Sequence, residues 1–525
     1  MADDARKGVN LAAHKKRAAK AWSDREHWTK IYDDAYEFAI PYRRSADRHG
    51  KADQRVDRLF DNTAIVSAFR FGGQLQQDLF PPGSPFFKLA AGPIAKASMS
   101  EAEVQEMDKE LEKISDVVSA FFATGEFDTS ANEMCIELAA GTAALLVLEG
   151  DERNPIRFIE LPFDQVAFGI TAHGDVNAVY WKSKLTRSQI QDDFPDGTFP
   201  AEWKAKLDQG AEEEVLINQD FVADRKSGDW RFVAWLEDSD HQITGETYRT
   251  KPLATPRYYR VPGEAYGRGP ILLALPTIKT LNKAVELTLK AAAIQMLGIW
   301  GYRPASGFNP DTSRLAPGQF WPMSSTGGIM GADVTRLDPA AGRIDVSQLV
   351  TQDLRLQVQA ALHDDKLPDK GATPASATEI LARTRRVAQN YLGAFGRLVH
   401  EIIPVIVRRT IEILYKRKLI ATDIDIDTLL IKIEVLSPIA AALKAEAITK
   451  ILEWIEMILA VRGPQGLDLL CKADAALRHI GGRIGVPAEF IMTSDEQQDF
   501  EAAVARSVQA VMEQMAEAGA APAAA

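Results

Sequence analysis

The sequence predicts an α+β protein that is mainly helical, and three observations carry this. Apolar residues recur at helical spacing over long stretches at both ends of the chain. Between residues 142 and 249 the period changes to that of strands. From Tyr266 to Ile420 the pattern returns to helices, interrupted by an insert rich in Gly and Pro. A length of 525 residues exceeds what one compact core usually organises, so several subdomains are expected.

The first 20 residues carry Arg6, Lys7, Lys15, Lys16, Arg17 and Lys20, a basic arm expected to be ordered only by a neighbour. Trp28, Ile31, Ala35 and Phe38 mark a helix ending at Pro41. Ile65, Ala68, Gly72, Leu75 and Leu79 mark another, stopped by Pro81-Pro82-Gly83. Val104, Met107, Leu111, Ile114, Val118 and Phe121 form a third, very regular stripe. Strands are predicted at 144–148, 156–161, 165–170 and 176–182. Helical fragments at 188–194 and 201–207 interrupt them, and strands resume at 214–222, 230–236 and 242–249, with Lys226-Ser227-Gly228-Asp229 as a hairpin turn.

The stretch from Tyr266 onward organises the rest. A helix opens after Gly267-Arg268-Gly269-Pro270, where a proline costs no hydrogen bond, and Gly298 and Gly301 should stop it. After the insert a second helix starts near Asp345 as N-cap, with Gln348 as its capping-box partner. The polar loop His363 to Gly371 follows. Ser376 and Glu379 then form a capping box that opens a long helix through Tyr391, Phe395, Leu398 and Ile402, which Pro404 should kink. Run to Leu419, that helix would be roughly 65 Å long. Beyond it, 423–427 and 431–435 alternate as a strand pair. Helices are expected at 440–460, up to Ile480, and from Asp495 to Ala518, before an Ala-rich tail.

Several chemistries lack their residues. There is no G-x-x-x-x-G-K-[ST] phosphate loop and no G-x-S-x-G elbow, and Gly267 with Gly269 lacks the third glycine of a dinucleotide site. Position 404 is proline where the second histidine of a zinc-protease motif starting at His400 would stand. Asp423, Asp425, Asp427 and Glu434 have calcium-loop spacing, but Thr428 occupies the position that needs glycine. No metal and no cofactor is expected. Cys135 and Cys471 are too few for a disulfide framework and read as small buried hydrophobes. No apolar run reaches the length of a membrane span, and the N-terminus lacks the apolar region of a signal peptide.

The order of parts resembles the portal, or head-to-tail connector, proteins of short-tailed bacteriophages. The resemblance rests on Ile40-Pro41-Tyr42-Arg43, Leu79-Phe80-Pro81-Pro82-Gly83-Ser84-Pro85, Tyr266-Gly267-Arg268-Gly269-Pro270, Ala274-Leu275-Pro276, Lys279-Thr280-Leu281-Asn282 and Thr378-Glu379-Ile380, in consistent order along nearly the whole chain. It implies a wing over 1–265, stem helices at 266–299 and 344–362, and a clip at 300–343. It further implies a tunnel loop at 363–375, a long kinked helix and the rest of the wing at 376–462, and a helical crown or barrel at 463–525.

The resemblance also implies a non-enzymatic role. Copies of the chain would close into a ring at one capsid vertex, made in the host cytoplasm and carried in the virion. Double-stranded DNA would pass through it at packaging and ejection. The ring would engage a terminase motor, tail adaptor proteins, scaffold and the major capsid protein. On this reading Asp364, Asp365, Lys366, Asp369 and Lys370 face DNA from the tunnel loop. Arg303, Arg314 and Trp321 offer clip contacts to partners, and Arg383, Arg385 and Arg386 pair across subunits. The net charge of −12 argues against a surface that grips nucleic acid but suits a wall along which a duplex slides. With about twelve subunits, the family's usual number, and stem helices packed about 10 Å apart, the bore is roughly 28 Å, wide enough for B-DNA. The rival readings are another head–tail joining ring, such as an adaptor, or a DNA-processing enzyme.

Overall fold

The structure is a computed structural model. It describes residues 11–43, 58–208, 213–239, 241–297, 299–302, 334–337, 344–364, 377–420, 430–436 and 450–461, with isolated helical residues between 476 and 509.

Helix α1 (Leu11–Ala39) begins within the predicted basic arm. Its first turns do not wait for a neighbour, because they pack on the protein's own sheet: Ala18 and Ala21 bury against Ala167, Ala178 and Tyr180, and the Lys15 ammonium lies over the Trp235 ring. Buried His14 hydrogen-bonds Asp220 at 2.9 Å, and Asp220 also accepts from Trp235 Nε1 at 2.8 Å. Small alanines against the sheet, with a long lysine side chain laid over an aromatic ring, thus turn a charged stretch into a packed one.

A second helix, α2 (Thr63–Leu79), sits against the α5 helix (Phe127–Ala140) where Gly72 meets the Ile136 side chain. Between them in sequence come strand β1 (Phe87–Ala91), the short α3 (Pro93–Ser98) and α4 (Glu101–Thr124). The α4 helix opens on a capping box in which Ser100 and Glu103 satisfy each other's backbone amides. Phe80, Phe86, Phe122, Phe127 and Phe158 meet edge-on or stacked at ring separations of 4.9 to 5.5 Å, the centre of the apolar core here.

Strands β2 (Leu145–Glu149) and β3 (Ile156–Glu160) pair antiparallel, and β9 (Leu253–Ala254) joins the other edge of β2. Strands β4 (Val166–Ile170), β5 (Val176–Thr186), β6 (Glu214–Ala223), β7 (Trp230–Leu236) and β8 (Gln242–Tyr248) form a five-stranded antiparallel meander. Helices α6 (Arg187–Asp193) and α7 (Ala201–Asp208) occupy the β5–β6 connection, as the sequence predicts. The turn at Lys226 to Asp229 is as expected too: Gly228 has φ of +84°, a value glycine adopts without strain.

Helix α8 (Pro270–Leu297) leads into a ribbon, β10 (Ile299–Tyr302) against β11 (Val334–Leu337), and α9 (Ile344–Ala361) returns beside α8. Two local expectations shift: Gly301 lies within β10 instead of stopping the helix, and Asp345 falls in the first turn of α9 instead of capping it. Helix α10 (Ala377–Lys416) runs through Pro404 as one element of 40 residues. Its second half is core: Leu398, Ile402, Ile406, Val407, Ile413 and Leu414 are buried.

The strand expected at 431–435 is present, while its expected pair partner at 423–427 lies outside the described residues. Strand β12 (Ile431–Val435) runs antiparallel to β1, from Phe87↔Val435 to Ala91↔Ile431, and joins distant parts of the chain. Alternation locates a strand but carries no information about its partner. Asp423, Asp425 and Asp427 lie outside the described residues, as do Cys471 and most of the predicted crown. Cys135 is fully buried, and burial pushes its thiol far above the usual range. No helix among the described residues is long and apolar enough to cross a membrane.

Candidate functional site: the helical hairpin and its root

The α8–α9 hairpin leaves the body at Tyr266-Gly267-Arg268-Gly269-Pro270, and backbone packing explains the glycines. Gly269 N donates to Ala140 O at 2.9 Å, so the segment lies directly on the end of α5. A methyl group at Gly269 would collide with the Ala139 carbonyl oxygen, and one at Gly267 with the Gly141 carbonyl oxygen. Gly141 itself sits at φ +142°, facing Gly267 and Gly269. The pair of glycines allows the close approach of two backbones.

Side chains lock the same joint. The Tyr32 hydroxyl donates to Gly267 O at 2.6 Å and lies 2.9 Å from Thr142 Oγ1, which accepts from Gly267 N at 2.7 Å. Burial holds the Tyr32 phenol well above its ordinary range, so it remains a neutral donor. Its ring stacks on Phe163 at 4.1 Å. Tyr266 Oη accepts from Phe168 N at 3.2 Å, and Arg268 exchanges both backbone hydrogen bonds with Tyr259. Helix α1, the end of α5, the sheet and the hairpin therefore meet at one point.

Above this root the hairpin buries apolar side chains and leaves several leucines exposed on its outer sides. Ile271, Ala274, Ile278, Leu281, Val358 and Leu362 are buried in the main core. Thr288 and Ser347 pair their hydroxyls across the two helices at 2.5 Å. In contrast, Leu273 (63%), Leu287 (55%), Leu349 (72%) and Leu356 (58%) are largely exposed. Leu273 and Leu287 lie about four turns apart on α8, and Leu349 and Leu356 about two turns apart on α9, so the two leucines of each helix fall on one outward side. Glu286 bridges Lys283 at 2.9 Å and Lys290 at 2.5 Å beside Leu287 on α8.

Of the predicted tunnel-loop residues, Asp364 is placed at the exit of α9. Its carboxylate accepts from Ser67 Oγ at 2.8 Å and Arg70 Nη1 at 3.1 Å, both on α2, and its side chain is only 9% exposed. Asp365, Lys366, Asp369 and Lys370 lie outside the described residues, as do Arg303, Arg314 and Trp321. Arg383, Arg385 and Arg386 fall within α10, but their side chains lie outside the description, with those of Thr378, Glu379 and Ile380.

Two other stretches singled out in the sequence are also joints. In Ile40-Pro41-Tyr42-Arg43, the Arg43 guanidinium reaches Glu137 at 3.1 Å, Glu160 at 2.6 Å and Glu133 at 3.5 Å, tying the end of α1 to α5 and β3. The Tyr36 hydroxyl donates to Glu137. Burial raises both Glu137 and Glu160; the neighbouring Glu137 charge adds to the effect on Glu160, and Arg43 opposes it in both. In Leu79-Phe80-Pro81-Pro82-Gly83-Ser84-Pro85, Phe80 fills the aromatic core, and the turn closes with Ser84 N donating to Pro81 O at 3.2 Å. Tyr32 and Thr142 were not visible as partners of the glycine motif, because only tertiary folding brings them to it. Among the described residues no group of three or more His, Cys, Asp and Glu is arranged to hold a metal ion.

Sequence comparison joins these elements to known proteins. Residues 11–492 match the family described as "Bacteriophage head to tail connecting protein". A relative described as "Probable portal protein", from Bordetella phage BPP-1, is 23% identical over 499 residues, covering 90% of this chain and 87% of that protein. The match spans the body, the rooted hairpin and the long helix together, and the chain belongs to the family of bacteriophage head-to-tail connecting proteins.

Proposed function

We propose that the chain is a portal subunit whose copies close into a ring at one capsid vertex, giving a passage for DNA at packaging and ejection. The observation that carries this reading is the set of outward exposed leucines on each helix of a rigidly rooted hairpin. Exposed leucines on both sides of a two-helix element call for cover on both sides, and identical neighbours in a ring supply it. A heterologous contact, the α8 face of one copy against the α9 face of the next, closes when the rotation between copies divides a full turn. About twelve copies would leave a bore wide enough for duplex DNA.

Within this reading α8 and α9 are the stem and the segment between them is the clip. Arg303, Arg314 and Trp321 are the candidate contacts for the terminase motor and then the tail adaptor proteins. Asp365, Lys366, Asp369 and Lys370 are the candidates facing DNA, while Asp364 anchors their loop at its base. Arg383, Arg385 and Arg386 are candidates for pairing with a neighbouring subunit, and residues beyond 463 for the crown that meets scaffold and capsid interior. The net charge of −12 fits a wall that does not trap phosphates. The role is passive, with ATP hydrolysis left to the motor.

Native mass spectrometry of the purified full-length protein, with averaged electron-microscope images down the particle axis, tests this. A closed ring with a central hole and no ATP hydrolysis is expected. A folded monomer persisting at high concentration overturns it.

A further inference from the structure

A short stretch of chain grips the hairpin at three separate heights. Asn282, in the middle of α8, accepts from Phe60 N at 2.7 Å and Asp61 N at 3.3 Å, and its Nδ2 donates to Arg58 O at 2.9 Å. One side-chain amide thus holds three backbone groups of residues 58–61. Asp61, with a side chain only 4% exposed, accepts from Arg355 of α9 at 2.8 Å and from Thr63 N, the first amide of α2, at 2.9 Å. One turn further along α2, Ser67 and Arg70 hold Asp364, where the chain leaves α9. Next to it His363 takes the left-handed conformation, φ +56°, and lies against the Phe71 ring at 6.3 Å.

We propose that residues 58–71 are a positioning strap that couples the two stem helices to Asp364, at the base of the segment expected from the sequence to form the tunnel loop, so that a shift at Asp61–Arg355 is transmitted to Asp364. The reasoning is mechanical. An α-helix transmits displacement along its axis with little loss, and α2 carries a stem contact at its start and the loop anchor one to two turns later. His363, held in a conformation that non-glycine residues rarely adopt, leaves the chain little freedom to absorb movement between α9 and the loop. Asn282 and Arg355 are therefore positioning residues, acting on the loop through α2. The proposal rests on the portal reading only in taking that loop as the one facing DNA.

Trypsin cleavage after Lys366 and Lys370 in the full-length protein reads the loop directly, with cleavage after Lys226, in the remote β6–β7 turn, as the reference. Removing the anchor with Ser67→Ala/Arg70→Ala should speed loop cleavage roughly three- to tenfold, the loss of one buried hydrogen bond and one half-exposed ion pair. Asp61→Asn, which does not touch Asp364, should speed it about two- to threefold and add nothing on top of the double variant, while Arg70→Lys restores the original rate. Cleavage after Lys226 should not change. Loop cleavage unmoved by Asp61→Asn, effects that simply multiply, or a parallel rise after Lys226 would each overturn the strap. Native mass spectrometry on the same samples reports the ring separately, so a missing ring counts against the portal reading and not against the coupling.

Discussion

The double substitution Leu287→Ala/Leu349→Ala tests subunit contact through the hairpin most sharply. Truncating leucine to alanine removes three carbons, worth about 2.4 kcal/mol at ~0.8 kcal/mol per buried carbon. In the single chain Leu287 is already 55% exposed and Leu349 72% exposed, so that fraction of each is what a neighbour would cover. The expected loss is then about 1.3 and 1.7 kcal/mol, together about 3 kcal/mol per interface, or roughly a hundredfold in the dissociation constant. By the same rule the isolated subunit should lose only what the parts already covered contribute, about 1.1 and 0.7 kcal/mol, together about 1.8 kcal/mol. Sedimentation velocity across a dilution series, with far-UV circular dichroism melts alongside, separates the two effects. The dissociation midpoint should rise about a hundredfold in concentration while the melt of the dissociated chain falls by no more than a few degrees. An unmoved midpoint would refute the idea that these faces meet between copies, and a collapsed melt would show that they are core.

Three further outcomes follow from the joints. Gly269→Ala should destabilise the protein by about 3 kcal/mol or more, because the clash is with a backbone carbonyl that cannot turn away, and a urea denaturation midpoint measures it. Tyr32→Phe should cost about 1–3 kcal/mol by leaving the Gly267 carbonyl without its donor, read in the same assay. Glu160, raised from 4.5 to about 8 chiefly by burial, holds its proton better folded than unfolded; its stabilising contribution is full below about pH 4.5 and lost as pH rises to about 8. Stability of the native protein relative to Glu160→Gln should accordingly decline between about pH 5 and pH 8 in paired denaturation curves, and a flat or rising difference would contradict the burial of that carboxyl.

Much of the architecture is legible from period alone. The stripe from Val104 to Phe121 became α4, the alternation from 165 to 249 became the meander, and both hairpin helices stand close to their expected bounds. Helix α1 was harder, because six cations in the first 20 residues hide the small residues Ala18 and Ala21 that pack on the sheet. Helix α5 escaped notice because a helix buried nearly all round has no polar face to give it a period. The site was legible as motifs and opaque as geometry: Gly267, Gly269, Arg43 and Asn282 stand out in the sequence, while their partners Thr142, Gly141, Glu160 and Phe60 do not.

The amino-acid sequence by itself determined where the long amphipathic helices and the strands of the meander lie and where the hairpin leaves the body, since these follow from local spacing, caps and glycines. Tertiary structure alone decided that β12 pairs with β1, that Asp364 is bound to α2, and that the glycines at the root serve backbone contact. The physical reason is one of distance along the chain. Propensity and periodicity act over one or two helical turns, whereas each of these contacts joins residues far apart in sequence whose meeting depends on the whole core being packed.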